Sequence, residues 1–109
     1  MGGQGSDAND ALDVEVHGFE FDGRNAEHLA RHGLTEEVVW DVWAGDPRAF
    51  PNRPERPATH LLVGADSTGR HWTVAILLVD SATYTWRPIT GWPSTRKEIK
   101  AYEKAVGRS

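Results

Sequence analysis

The stretch that decides the fold is HLLVGADSTGRHWTVAILLV, residues 60–79. Two β-rich runs flank the polar turn DSTG, which ends in Gly69, and this pattern predicts a β-hairpin. The second run is largely apolar on both faces, with Trp72, Val74, Ile76 and Leu78 on one and Thr73, Ala75, Leu77 and Val79 on the other. A strand of this kind is covered on both sides, so we expect it at the centre of a sheet.

Around the hairpin, capping residues predict three amphipathic helices. The first follows Asp22 and ends at Gly33, the second follows Thr35 and ends at Gly45, and the third follows Thr95. Asp and Thr are favoured at helix starts because their side-chain oxygens accept hydrogen bonds from the free N–H groups of the first turn. Glycine is common just past a helix end because it adopts positive φ without steric cost.

The remaining segments complete the sheet. Residues 14–21 (VEVHGFEF) alternate and predict a first strand, while residues 84–90 (YTWRPIT) predict a last strand that lies at an edge or bends near Pro88. Residues 91–94 (GWPS) are expected to be a connector. The segment 47–59, rich in proline and arginine, is expected to be an exposed loop or an edge strand at most. The predicted fold class is α+β: a small antiparallel sheet of about four to five strands with two N-terminal helices and one C-terminal helix.

Composition limits the class of protein. With 109 residues and 39% hydrophobic content, the chain predicts one domain over residues 13–106, after a disordered tail over residues 1–12. The absence of cysteine excludes disulfides, thiol catalysis and Cys-based zinc sites. There is neither a long apolar run nor a signal-peptide pattern, so we expect a soluble cytoplasmic protein, and nothing in the sequence calls for a cofactor.

The net charge of −4 conceals an asymmetry between the two parts of the chain. Residues 1–47 carry eleven acids and two arginines, whereas residues 48–109 carry five acids and ten Lys or Arg residues. The basic part is suited to phosphate. An equally acceptable interpretation is that different helix surfaces simply carry opposite signs.

Few chemical motifs stand out in this sequence. His28 and His32 have the i, i+4 spacing of a helical zinc pair, but the run HLARH lacks the glutamate of the zinc-protease motif, and we favour a helix end that carries a histidine. The tryptophans are expected mainly in the core. A group of cations and imidazoles, with two residues of the last helix, suits metal-free RNA cleavage: Arg31, His32, His60, Arg70, His71 and Arg87, with Glu98 and Tyr102.

The first part of the chain, FEFDGRNAEHLARHGLTEEVVWDVWAGDP, resembles the opening of the BrnT family of type II toxin ribonucleases. In that family a strand ending in F-x-W-D leads to a helix ending in K-H-G and then to a helix ending near D-P. The matching residues are Phe19, Asp22, Asn25, His32, Gly33, Asp46 and Pro47, with Phe21 in place of the tryptophan and Arg31 in place of the lysine.

The resemblance continues to the end of the folded part, over roughly residues 19–104. The hairpin and the closing R-x-I-S-A-R segment with its helix match at Gly64, Gly69, Arg70, Arg87, Ile89, Glu98 and Tyr102. Membership would imply a RelE-like fold, ribosome-independent RNA cleavage, and an antitoxin that both wraps the toxin and binds DNA. Two positions depart from the family. Trp92 replaces the second arginine of R-x-I-S-A-R, and Thr59 with His60 replaces an arginine that enters the hairpin.

Two hypotheses about function follow. In the first, the chain is a metal-independent endoribonuclease toxin. His32, Arg70 and Arg87 form its catalytic set, Arg31, His60, Trp92 and Tyr102 bind the substrate, and the protein is a homodimer or joins its antitoxin in a hetero-oligomer. In the second, it is a catalytically inactive BrnT-like module that binds a protein or nucleic acid through Trp92, Trp86 and the loop 47–57. A small-molecule pocket between the sheet and the last helix has no positive sign in the sequence.

Overall fold

Within residues 11–107, the part described by this computed structural model, five strands and three helices form one layered α+β structure. The predicted fold class is confirmed. The elements are β1 (Gly18–Phe19), α1 (Gly23–Ala30), α2 (Glu36–Ala44), β2 (Arg48–Pro51), β3 (His60–Ala65), β4 (His71–Asp80), β5 (Thr85–Pro93) and α3 (Arg96–Ala105). Residues 1–10 of the predicted tail lie outside the described part. Of the rest, Leu12 donates its backbone N–H to the carbonyl of Ala49 at 2.7 Å.

The sheet has the strand order β1-β5-β4-β3-β2, so β4 lies at its centre, as the sequence predicts. The hairpin of β3 and β4 is confirmed, and β4 pairs antiparallel with both β3 and β5. The predicted edge character of residues 47–59 is confirmed as well, because β2 is the outermost strand beside β3.

The first strand differs from the expectation in length and direction. Only Gly18 and Phe19 pair with β5, and they do so in parallel rather than antiparallel, so the sheet is mixed. The reason lies immediately downstream, because Asp22 already caps α1 and the chain leaves the sheet edge there. Beyond β1, a side chain of α1 bonds to β5 instead, since Asn25 Nδ2 donates to the carbonyl of Pro88 at 3.1 Å.

The last strand is longer than predicted. Gly91, Trp92 and Pro93, expected in a connector, pair with Val74, Thr73 and Trp72 of β4. Proline fits here because Pro93 ends the strand, while Pro88 lies beside a shift in the β4–β5 register. This extension carries Trp92 onto the surface of the sheet.

The predicted N-caps at Asp22, Thr35 and Thr95 are confirmed, whereas α1 already ends at its C-cap Arg31, two residues before Gly33. The Asp22 carboxylate accepts from the backbone N–H groups of Arg24 and Asn25, and Asn25 Oδ1 accepts from the Asp22 N–H in return. The Thr35 hydroxyl accepts from Val38 N–H. These bonds satisfy two free donors in the first turn of α1 and one in that of α2, and they fix where each helix begins. None of the helices over residues 11–107 is long and apolar enough to cross a membrane.

The helices lie on opposite faces of the sheet. We call the face covered by α1 and α2 the α1–α2 face, and it holds the larger core. The two helices and the turn between them contribute Leu29, Leu34, Val39 and Val42, which pack with the sheet residues Trp72, Val74, Ile76 and Trp86. Tyr102 of α3 packs with Phe50 and Val63 on the other face, which we call the α3 face. Ten residues of α3 cover only part of that face, and the uncovered part is where a site is found.

Gly91 shows how closely the two layers fit. A Cβ added there would clash with Leu34 Cδ2 and would lie 3.0 Å from the Thr73 carbonyl oxygen. Because Leu34 is fully buried, it has no free space into which to move. We therefore expect Gly91→Ala to lower the free energy of unfolding by about 1–3 kcal/mol, measured by urea denaturation.

Gly23→Ala is the matched control, since nothing lies within 4 Å of a Cβ at that position. It should leave stability unchanged or raise it slightly, because alanine favours the helix. Equal stability of the two variants would contradict the packing described here.

Candidate functional site

An open cleft of about 930 Å³ lies on the α3 face, between α3 and the loop of residues 52–59. We call it the α3 cleft. Its floor is formed by apolar side chains of three strands: Leu61 and Val63 of β3, Ala75 of β4, and Ile89 of β5. Trp92 lines it beside α3. A pocket between the sheet and the last helix, which has no positive sign in the sequence, is therefore present.

Three cations line the cleft. Arg53 and Arg56 belong to the loop, and Lys97 belongs to the first turn of α3. Among residues 11–107, none of the three forms a salt bridge. Glu98 is the one carboxylate in the lining. The cleft therefore has positive charge available for an anionic ligand.

The loop that carries the two arginines is held to the sheet. Asn52 Nδ2 donates to the Ala58 carbonyl at 2.9 Å, and the Asn52 N–H donates to the Thr59 carbonyl at 3.0 Å. Ala58 is buried, while Pro54 and Pro57 fix two φ angles between these anchors. The loop thus presents its arginine side chains from a restrained backbone.

The Glu98 carboxylate is already engaged within the protein. Oε1 accepts from the Thr95 N–H at 2.8 Å and from the Thr73 hydroxyl at 2.9 Å. The indole Nε1 of Trp92 donates to both carboxylate oxygens, at 3.1 and 3.2 Å. These bonds direct Glu98 toward the cap of α3 and the sheet, leaving Arg53, Arg56 and Lys97 free for a ligand.

A pair of histidines stands at the edge of the cleft. His28 lines it, with Nε2 3.2 Å from Thr90 Oγ1, and its ring centroid lies 5.5 Å from that of His32. Over residues 11–107, no group of three His, Asp or Glu side chains is placed to hold a metal ion. The pair offers two neighbouring imidazoles for proton transfer.

Three residues of the predicted site, Arg31, His32 and Arg70, lie outside the lining of the cleft. Arg31 and His32 follow the end of α1, both exposed, and Arg31 lies 3.9 Å from Glu27. Gly33 approaches the ring of Trp72, and Arg70 lies over that ring at 4.6 Å. Gly33, which follows Arg31 and His32, and Arg70 therefore both lie beside Trp72, and none of the three predicted site residues lines the α3 cleft.

Arg87 is separate from that group. It binds Glu20 at 2.9 Å and Asp22 at 2.7 Å, and Asp22 is the N-cap of α1 while Arg31 is its C-cap. The two caps are nine positions apart in the chain, which corresponds to roughly 13 Å along the helix axis. Two carboxylates thus hold the Arg87 guanidinium at the N-terminal end of α1, whereas Arg31 and His32 follow its C-terminal end.

The other predicted substrate-binding residues lie in different places. His60 pairs with Ile76 on the α1–α2 face, where its ring contacts Trp86 at 5.1 Å and burial lowers its pKa. Tyr102 is buried, and its hydroxyl donates to the Asp46 carbonyl at 3.1 Å. Of the seven predicted site residues, Trp92 is the one that lines the cleft.

The second hypothesis matches the geometry more closely. The Pro- and Arg-rich loop does meet Trp92 across the cleft, whereas Trp86 packs into the core on the opposite face. Sequence reasoning missed Lys97 and His28 as lining residues, although the basic character of the second part of the chain indicated cations of this kind.

Neither protein-family models nor curated proteins gave a match to this chain. The resemblance to the BrnT family stays a prediction from the sequence motifs.

The position of Arg87 leads to a pH-dependent prediction. Hydrogen bonds from Asn25 N–H and the Arg87 guanidinium lower the pKa of Asp22 below its usual 3.8. A lowered carboxyl pKa contributes stability above the unfolded-state pKa, and this stability is lost as the pH falls. Arg87→Ala should therefore reduce stability at neutral pH, and the difference from the wild type should shrink as the pH falls below about 4. Urea denaturation at pH 7, 5 and 3 measures it.

Arg24→Ala, which removes an exposed cation outside these ion pairs, is the control and should show no such trend. A difference between Arg87→Ala and the wild type that stays constant from pH 7 to pH 3 would show that the guanidinium does not act through these carboxylates.

Proposed function

We propose that this chain is a BrnT-like module that binds RNA in the α3 cleft. The observation that carries the proposal is the meeting of Arg53, Arg56 and Lys97, free of salt bridges within residues 11–107, around an apolar floor. The proposal keeps the setting that the resemblance implies, in which the protein works in the cytoplasm as part of a toxin–antitoxin pair.

The combination of surfaces suits a nucleic acid. Phosphates bind Lys and Arg, and the planar guanidinium of arginine donates two parallel hydrogen bonds to a phosphate. Bases need an apolar or aromatic surface, which Ile89 and Trp92 provide on the floor. A ligand that carried only negative charge would leave that floor exposed to water, so the cleft is better suited to a chain of nucleotides.

The distribution of arginines favours binding over arginine-based cleavage. Arg87 is neutralised by Glu20 and Asp22, and Arg70 is directed to the ring of Trp72. Stabilising a phosphorane requires cations aimed at one phosphate. The predicted catalytic arginines do not converge in this way, whereas the cations of the cleft lie around a common space.

The test is RNA binding measured by fluorescence anisotropy with a labelled single-stranded oligonucleotide. We expect Arg53→Ala with Arg56→Ala to weaken binding at least tenfold. The slope of log K against log salt should fall by about 0.7 for each phosphate that the variant no longer neutralises, because fewer counterions are released. Circular dichroism confirms that the variant is folded.

Arg24→Ala with Lys104→Ala is the matched control, because it removes the same charge from exposed positions that do not line the cleft. It should bind RNA nearly as tightly as the wild type. Equally weakened binding by the two double variants would mean that only net charge matters, and the proposal would then fail.

A second candidate function is metal-independent RNA cleavage, which the pair of His28 and His32 favours. One imidazole would take the proton of a 2′-OH, whose oxygen attacks the adjacent phosphorus. The other would give a proton to the departing 5′ oxygen. The products are a 2′,3′-cyclic phosphate and a 5′-hydroxyl, so no metal or cofactor takes part.

Gel analysis of labelled RNA in the presence of EDTA tests this candidate. His28→Ala and His32→Ala should each abolish cleavage while RNA binding persists, and expression of the wild type should arrest growth. Intact RNA after incubation with a wild-type protein that binds it would remove the cleavage candidate and leave the binding proposal in place.

A further inference from the structure

Trp92 is fixed more firmly than a partly buried side chain at the side of an open cleft needs to be. Its indole N–H is shared between the two carboxylate oxygens of Glu98. Glu98 is itself held by Thr95 N–H and by the hydroxyl of Thr73. Thr73 is fully buried on the central strand, directly opposite Trp92 in the register of β4 and β5.

This network restricts the ring to one orientation. Rotation of the indole would break its hydrogen bonds to a carboxylate that is anchored at the cap of α3 and on β4. A side chain held in this way loses little entropy when a ligand binds, so it is preorganised as a contact surface. The N–H edge of the indole is hydrogen-bonded to Glu98, so a ligand can contact only the remaining apolar surface of the ring.

The surroundings of the ring decide which chemical group fits it. Ile89 and Ala75 belong to the apolar floor of the same cleft, and the cation that α3 contributes to its lining is Lys97 of the first turn. A flat apolar group could stack on the ring of Trp92, and an anionic group could form an ion pair with Lys97. An unpaired nucleotide carries those two groups, and stacking on an aromatic ring tolerates any base.

We propose that Trp92 stacks an unpaired base of the bound RNA, so that the α3 cleft selects single-stranded over double-stranded segments. In a duplex the bases are paired and stacked inside the helix, and their faces are out of reach of a ring on a cleft floor. This inference rests on the proposed function and specifies its ligand: an RNA segment with at least one unpaired base.

Three labelled ligands of equal length separate base stacking from phosphate attraction. They are a single-stranded RNA, the same strand annealed to its complement, and a single strand with abasic sites in its central part. The wild type should prefer the first ligand over the other two. Trp92→Leu should weaken binding of the first roughly 5- to 150-fold, the range expected for one stacked base, and should hardly change binding of the abasic strand.

Trp40→Leu is the matched control, because Trp40 is exposed on α2 and does not line the cleft. It should leave binding of all three ligands unchanged. Trp92→Phe keeps a ring without the indole N–H and should recover part of the affinity that Trp92→Leu removes. Circular dichroism and urea denaturation show whether each variant keeps the native fold.

The outcomes distinguish the inference from the proposed function. RNA binding that depends on Arg53 and Arg56, but is equally tight for duplex and abasic ligands, overturns the stacking role and leaves RNA binding intact. Unchanged affinity of a folded Trp92→Leu variant for single strands has the same meaning. A cleft that binds poly-glutamate as tightly as RNA overturns both, because it then takes acidic peptides.

Discussion

The carboxylate of Glu98 is the interaction on which the α3 face depends. One oxygen accepts from the N-cap of α3 and from the hydroxyl of Thr73 on the central strand, and both accept from Trp92. A capping box alone would begin the helix without fixing its direction against the sheet. Here the same carboxylate does both, because it ties the first turn of α3 to β4 and β5. Glu98 fixes the first turn of the helix, and the packing of Tyr102 on Phe50 and Val63 fixes its later part, so the two together set the width of the cleft.

The cations of the basic part of the chain differ in whether the fold pairs them with acids. Arg87, though matched to the BrnT motif, faces acids from the first part of the chain and forms two salt bridges with them. Arg53, Arg56 and Lys97 instead line a cleft whose one carboxylate is already occupied. Cations of the same basic part thus divide into those that stabilise the fold and those that remain available. Net charge alone does not make this distinction, since it depends on which acids the fold places opposite each cation.

Much of the fold was predictable because it is encoded by local chemistry. The caps at Asp22, Thr35 and Thr95 involve residues within three positions, and the hairpin pattern needs no distant partner. The parallel pairing of β1 was not predictable, since it joins Gly18 to Thr85 across the length of the domain. The site was predicted less well for the same reason. The partners of Arg87 are 65 and 67 residues away in the chain, and no spacing pattern in the sequence reveals them.

Trp92 stands at the position that the resemblance to BrnT matches with the second arginine of R-x-I-S-A-R. A tryptophan there changes the hydrogen bonding of Glu98 as well as the local charge. An arginine there would place a permanent cation beside Glu98, and the two would form an ion pair that competes with the cap of α3. The indole is neutral and shares its single N–H between the two oxygens of the same carboxylate. The negative charge of Glu98 therefore stays available to the N-cap of α3. The surface beside α3 is thereby aromatic rather than charged, next to the apolar floor of the cleft. Under the proposed function, Trp92 offers a flat surface to a base at this position. Within the proposed function, such a surface suits the binding of an RNA strand, and cleavage would depend on proton transfer by the imidazoles of His28 and His32.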